Sequence, residues 1–228
     1  MLNEHGLKIL SIHQVRCKFS AYQDMLYALR HFKDGMSLNR LIGICDINYK
    51  EMKRLQERTK DIGHIEYRKN KNAKITEEGI KYNVLYFAFQ DRFGIREIAS
   101  STFEPYDVIY DEEAIEMLMT EFINQDRDIK PCHSFPRFSH ARDTMTTYID
   151  GLRYLEKHRN GIRKSELKSI WAERYHQFIK IAVSKGHIEL ADKTMSTSEG
   201  FNFLHTFNGL VRKYDLGDFV PSLTAKLF

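Results

Sequence analysis

Arg68-Lys69-Asn70-Lys71-Asn72 together with Lys74 puts four cations and two amides into seven residues. Earlier in the chain, Asn48, Tyr49, Lys50, Lys53 and Arg54 bring the same residue types together at helical spacing. A third set, Arg163, Lys164 and Lys168, precedes a fourth, Arg174, His176, Gln177 and Lys180. Contiguous cations neutralise a polyanion, and forked or amide side chains add directional hydrogen bonds. The ordinary alternative is a solvated charged face.

Other chemistries find less support. The chain has no phosphate-binding Gly loop, no Gly-x-Ser-x-Gly and no His-Glu-x-x-His. Asp111-Glu112-Glu113 would suit Mg²⁺ only if gathered, and adjacent residues point to different faces of a helix. Three cysteines, Cys17, Cys45 and Cys132, are odd in number and far apart, which fits reduced thiols better than a disulfide framework. Cys132-His133 with His140 is the one loose metal-like cluster, without paired-Cys spacing. We therefore expect no catalytic residue, no metal and no cofactor. His64 and His187 are expected to make structural hydrogen bonds, and Trp171, Phe201, Leu204, Phe207, Leu210 and Val211 to be core.

At 228 residues with 42% hydrophobic residues, the chain can bury one large core or two small ones. Few Gly and Pro (12 and 4) point to a helix-rich fold. Residues 1–99 carry a net charge of +6, 100–130 of −7 and 131–228 of +5. No apolar run approaches the ~20 residues of a membrane span, and MLNEHGLKILSIHQVRCKF is not built like a signal peptide, so a cytoplasmic location is expected.

The tetrapeptide Gly-His-Ile-Glu occurs at 63–66 and again at 186–189, and its flanks agree in order. Ile75-Thr76-Glu77-Glu78-Gly79 answers Ser196-Thr197-Ser198-Glu199-Gly200. Upstream, Gly35 to Leu41 matches Gly161 to Leu167, and Phe19-Ser20 matches Phe138-Ser139. One unit is written twice.

In the first copy, Ser20 is an expected N-cap, Met25, Leu26, Leu29 and Phe32 keep helical spacing, and Gly35 stops the helix. A short helix over 38–44, a turn at 45–48 and a third helix ending at Gly63 follow. HIEYR and AKIT flank the polar KNKN as two strands, and Thr76 caps another helix. Helix, helix, turn, helix, hairpin, helix resembles the winged helix-turn-helix fold, in the form common among small archaeal and phage-type transcriptional regulators. The likeness covers roughly 20–92 and 139–214 and rests on residues 42–60, the Gly-His-Ile-Glu word, the basic hairpin and the Thr-Glu-Glu-Gly run.

The resemblance implies a mainly α fold with small β-wings (α+β). Its two winged helix-turn-helix domains would span 19–95 and 139–216, joined by an acidic helical linker over 96–138. Residues 1–18 form an extension and 217–228 a tail. It also implies that the third helix enters the major groove of double-stranded DNA while the wing touches its backbone, so the four cationic sets become DNA-contact candidates. The second copy departs from the pattern. Its wing, Leu190 to Thr194, has one cation and one anion, and its stretch from Leu167 to Gly186 is shorter than that from Leu41 to Gly63. Transcriptional regulation leads; a replication-initiator-like role and a protein-binding adaptor are the alternatives. Ala114, Ile115, Leu118, Met119 and Phe122 form an apolar stripe for packing or a homodimer seam, with the C-terminal helix a second dimer surface.

Overall fold

The computed structural model describes residues 18–69, 71–96, 98, 111–126 and 144–219. Expectations for Cys17 and the N-terminal extension, Asn70, the Cys132, His133 and His140 cluster, Phe138-Ser139 and the tail from 220 lie outside the described residues. The described chain is mainly helical with two small antiparallel sheets, an α+β arrangement. No described helix is long and apolar enough to cross a membrane. The described residues fall into two compact units, unit 1 up to Ala88 and unit 2 from Phe89 onward.

Unit 1 runs α1 (Lys18–His31), α2 (Leu38–Cys45), α3 (Tyr49–Asp61), β1 (Ile65–Tyr67), β2 (Ala73–Ile75) and α4 (Glu77–Arg92). The boundary expected near 95 falls inside α4, between Ala88 and Phe89. Helix α1 starts ahead of Ser20, which is buried within it and is not its cap. Phe19 is already in the core, edge-on to Tyr86 at 5.5 Å, so the helical face begins there. Met25, Leu26 and Leu29 bury the spacing seen in the sequence. Gly35 turns the chain at φ 75°, and Met36 exchanges backbone hydrogen bonds with Ala73 at 2.8 and 2.9 Å. That bridge adds an unanticipated third position beside the β1–β2 hairpin, whose register pairs Ile65 with Ile75.

Unit 2 repeats the order after one added helix, α5 (Glu112–Asp126). It continues through α6 (Thr144–Lys157), α7 (Lys164–Trp171), a 3-10 turn at Ala172–Arg174, α8 (Tyr175–Ser184), β3 (Ile188–Leu190), β4 (Thr194–Ser196) and α9 (Ser198–Lys213). Ile162 bridges Thr194 as Met36 bridges Ala73. Helix α5, expected in a linker, packs on α9 within this unit. A side chain at Gly209 would lie 2.5 Å from Phe122, so glycine is what lets the two helices approach. Met119 and Phe122 of the apolar stripe are buried, whereas Ala114 is exposed.

The repeated letters do the same work in both units. Tyr22 of α1 meets Nδ1 of His64, and Tyr148 of α6 meets Nδ1 of His187 at 2.8 Å. His64 stacks on Tyr82 at 5.1 Å between ring centres, and His187 on Phe203 at 5.0 Å. The Thr76 hydroxyl donates to the Gly63 carbonyl at 2.7 Å and accepts from the Gly79 N–H at 3.1 Å. Thr197 makes the corresponding bonds with Gly186 and Gly200. A Cβ on Gly79 would sit 2.3 Å from the His64 carbonyl oxygen, and one on Gly200 2.2 Å from that of His187. Gly79→Ala or Gly200→Ala should therefore destabilise by about 2–3 kcal/mol in chemical denaturation, against the ~1 kcal/mol that helix propensity favours Ala. A stabilised variant would contradict the close approach.

One exchange of volume distinguishes the cores. Unit 1 has Met25 and Cys45, both fully buried, where unit 2 has Gly151 and Trp171. A Cβ on Gly151 would lie 1.9 Å from the Trp171 indole nitrogen, which shows how glycine makes room for the larger ring. Trp171 stacks on Tyr148 at 5.7 Å with ring planes 3° apart.

Candidate nucleic-acid interface

Helix α3 buries Met52, Leu55, Gln56 and Thr59, which leaves Tyr49, Lys50, Lys53 and Arg54 on exposed faces. Tyr49 is 58% exposed at the start of the helix. Lys53 lies 3.9 Å from Glu57, an exposed pair worth little. Lys50 and Arg54 make no ion pair among the described residues.

Asn48 serves the fold. Its Oδ1 accepts from the Glu51 N–H at 3.0 Å and its Nδ2 donates to Glu51 Oε2 at 2.8 Å, which caps α3. Both ends of the amide are occupied, so it is a helix cap before it is a base-edge reader.

The hairpin connection spans residues 68–72, closed by Arg68 N–H to Asn72 O at 3.0 Å and Lys71 N–H to Arg68 O at 2.8 Å. Lys71 takes φ 62°, a left-handed conformation more usual for Gly or Asn. Lys69 and Lys71 are exposed, and Lys74 on β2 is half-buried. Arg68 turns back instead, donating to Asp34 Oδ1 at 3.2 Å and to the Lys33 carbonyl at 3.0 Å. It latches the hairpin to the turn after α1. The two residues are 34 apart in sequence, so no local pattern could announce the contact.

The shorter sequence of unit 2 shows in its third helix, where α8 has 10 residues against 13 in α3. Between α7 and α8 the 3-10 turn Ala172–Arg174 holds the place of Asp46, Ile47 and Asn48 in unit 1, so the connection has three residues in both units. Ala172 sits at φ 46° and ψ −125°, a backbone region that suits glycine. Arg174 is held by the fold, its guanidinium donating to the Thr144 hydroxyl. The Arg163 N–H donates to Glu166 Oε2 at 2.9 Å, which closes the start of α7. Lys164 and Lys168 lie exposed on α7, and His176, Gln177 and Lys180 are exposed on α8. The β3–β4 connection spans only residues 191–193.

The histidines belong to the scaffold. His64 and His187 are buried, and burial pushes each down to about 4, with Glu78 opposing the shift in unit 1 and Glu199 in unit 2. Burial likewise pushes the Tyr148 hydroxyl upward. Among the described residues no group of His, Cys, Asp and Glu is gathered as a metal site requires. Comparison with protein-family models, with curated proteins and with solved structures gives no match.

Proposed function

We propose that the chain binds double-stranded DNA and regulates transcription, with each unit acting as a winged helix-turn-helix module. Support comes from one observation above the rest. Unit 1 exposes cations both on α3 (Lys50, Lys53, Arg54) and on the β1–β2 connection (Lys69, Lys71), while the opposite side of α3 is core. A helix for the groove and a ribbon for the backbone need that distribution. Gathering phosphates requires cations without internal partners, and all of these except Lys53 fit.

Unit 2 contributes a weaker grip in this reading. Its hairpin connection is nearly neutral and its third helix is shorter, 10 residues against 13. The same departures, with Val183 and Leu190 exposed at 44% and 40%, favour protein contact as a second role for this unit.

Selection of bound duplexes from a random pool tests the proposal. The expected result is enrichment of a short site read chiefly by unit 1, with a weaker second element from unit 2. A pool recovered without any enriched sequence, or no recovery at all, would count against sequence-specific regulation.

A further inference from the structure

A second kind of site lies within unit 2. Where the turn after α6 meets β3, β4 and the first half of α9, a partly open cavity of about 320 Å³ is enclosed. That is the lower end of the volume of small-molecule sites, enough for one compact ligand and too little for a nucleotide.

The cavity's chemistry is bipolar. Arg159 and Glu189 both line it, and neither makes an ion pair with the other or with any further described residue. Ser196 also lines it, but its hydroxyl is buried out of reach of the cavity and has no hydrogen-bond partner. Leu155, Met195 and Phe201 supply the apolar walls. Phe201 was expected in the core stripe, but it is only half-buried because it faces this corner. At the edge, His205 lies 3.5 Å from Glu156.

The comparison with unit 1 explains why the corner is open. There Arg68, the first residue after β1, donates to the Lys33 carbonyl and to Asp34 and ties the hairpin to the turn. Arg159 holds the place of Lys33 in unit 2, and the first residue after β3 is Ala191, which has no guanidinium to donate. The latch is missing, and the charges around the gap stay unpaired.

We propose that this corner binds a free amino acid with an apolar side chain. The ligand's carboxylate pairs with the planar Arg159 fork, its ammonium with Glu189, and its side chain with the Leu155, Met195 and Phe201 walls. Glu189 disfavours phosphates and dicarboxylates, whose second negative charge would meet it without a cation of its own.

Calorimetric titration of the full chain with L-leucine and L-phenylalanine, without DNA present, tests the site. At least one should bind saturably. 4-Methylpentanoate and 3-methylbutylamine, each retaining one charge, should bind at least about tenfold more weakly, the size of one charged hydrogen bond. Arg159→Gln and Glu189→Gln should each cause a similar loss, with the circular-dichroism melt of the free protein unchanged. Absence of binding by both amino acids would overturn the proposal. So would undiminished binding to the doubly substituted chain, or single-charge analogues binding as tightly as the amino acid. None of these outcomes bears on duplex binding, so the two readings fail separately.

Discussion

Replacing Lys69 and Lys71 together by Glu is expected to cost duplex affinity on the order of 100-fold at moderate salt, with the fold intact. Both side chains are exposed and neither makes an ion pair among the described residues, so their loss removes nothing from the scaffold. Two attractions to phosphate become two repulsions. The matching change in unit 2, Lys164→Glu with Lys168→Glu, should cost about tenfold or less, because that unit's hairpin adds no net charge beside them. Gel shifts on one duplex with the three proteins decide the point. Equal losses for the two variants would remove the primacy of the first hairpin; no loss from the first would refute its role.

The second large effect is acid lability. His64 and His187 are buried with folded-state values of about 4, below the ordinary value of 6.5. The unfolded chain therefore takes up protons between about pH 6.5 and pH 4 that the folded chain refuses. Stability is full above pH 6.5, falls as the pH drops through that window and levels off for these groups below it. Each histidine should remove about 3 kcal/mol across the window, a large share of a typical domain's total. Denaturant midpoints at pH 7, 6 and 5 measure the slope, and His64→Gln with His187→Gln should flatten it. Constant stability from pH 7 to 5 would mean that the histidines are not held neutral inside the cores.

Much of this architecture was legible because the decisive signals are local. Gly63 and Gly186 with their following histidines, Thr76 and Thr197 as caps, and Gly79 and Gly200 all lie within one short run per copy, and each repeats a contact in three dimensions. The three-residue shortening in the second copy suggested an altered turn before its third helix, but that turn has three residues in both units and the loss falls in the third helix, 10 residues in α8 against 13 in α3. What stayed hidden is non-local. The Met36 to Ala73 bridge, the Arg68 latch and the packing of α5 on α9 through Gly209 join residues far apart in sequence. Single side chains also depend on what they meet. Asn48 and Arg174 looked available by residue type and are engaged by Glu51 and Thr144. Ser20 looked like a cap, yet Phe19 draws the helix past it. The corner around Arg159 and Glu189 left no trace in the sequence, since its charges come from different elements and its opening from a missing arginine.

Titrating duplex affinity against salt goes to the centre of the account. Lys50, Arg54, Lys69, Lys71 and Lys74 make no ion pair among the described residues, and if all meet phosphate the slope of log K against log salt should be about −4 to −5. Raising salt from about 50 to 200 mM would then weaken binding by several hundredfold. A flat dependence, or no measurable affinity for duplex even at the lowest salt, would contradict the assignment of these cations to DNA.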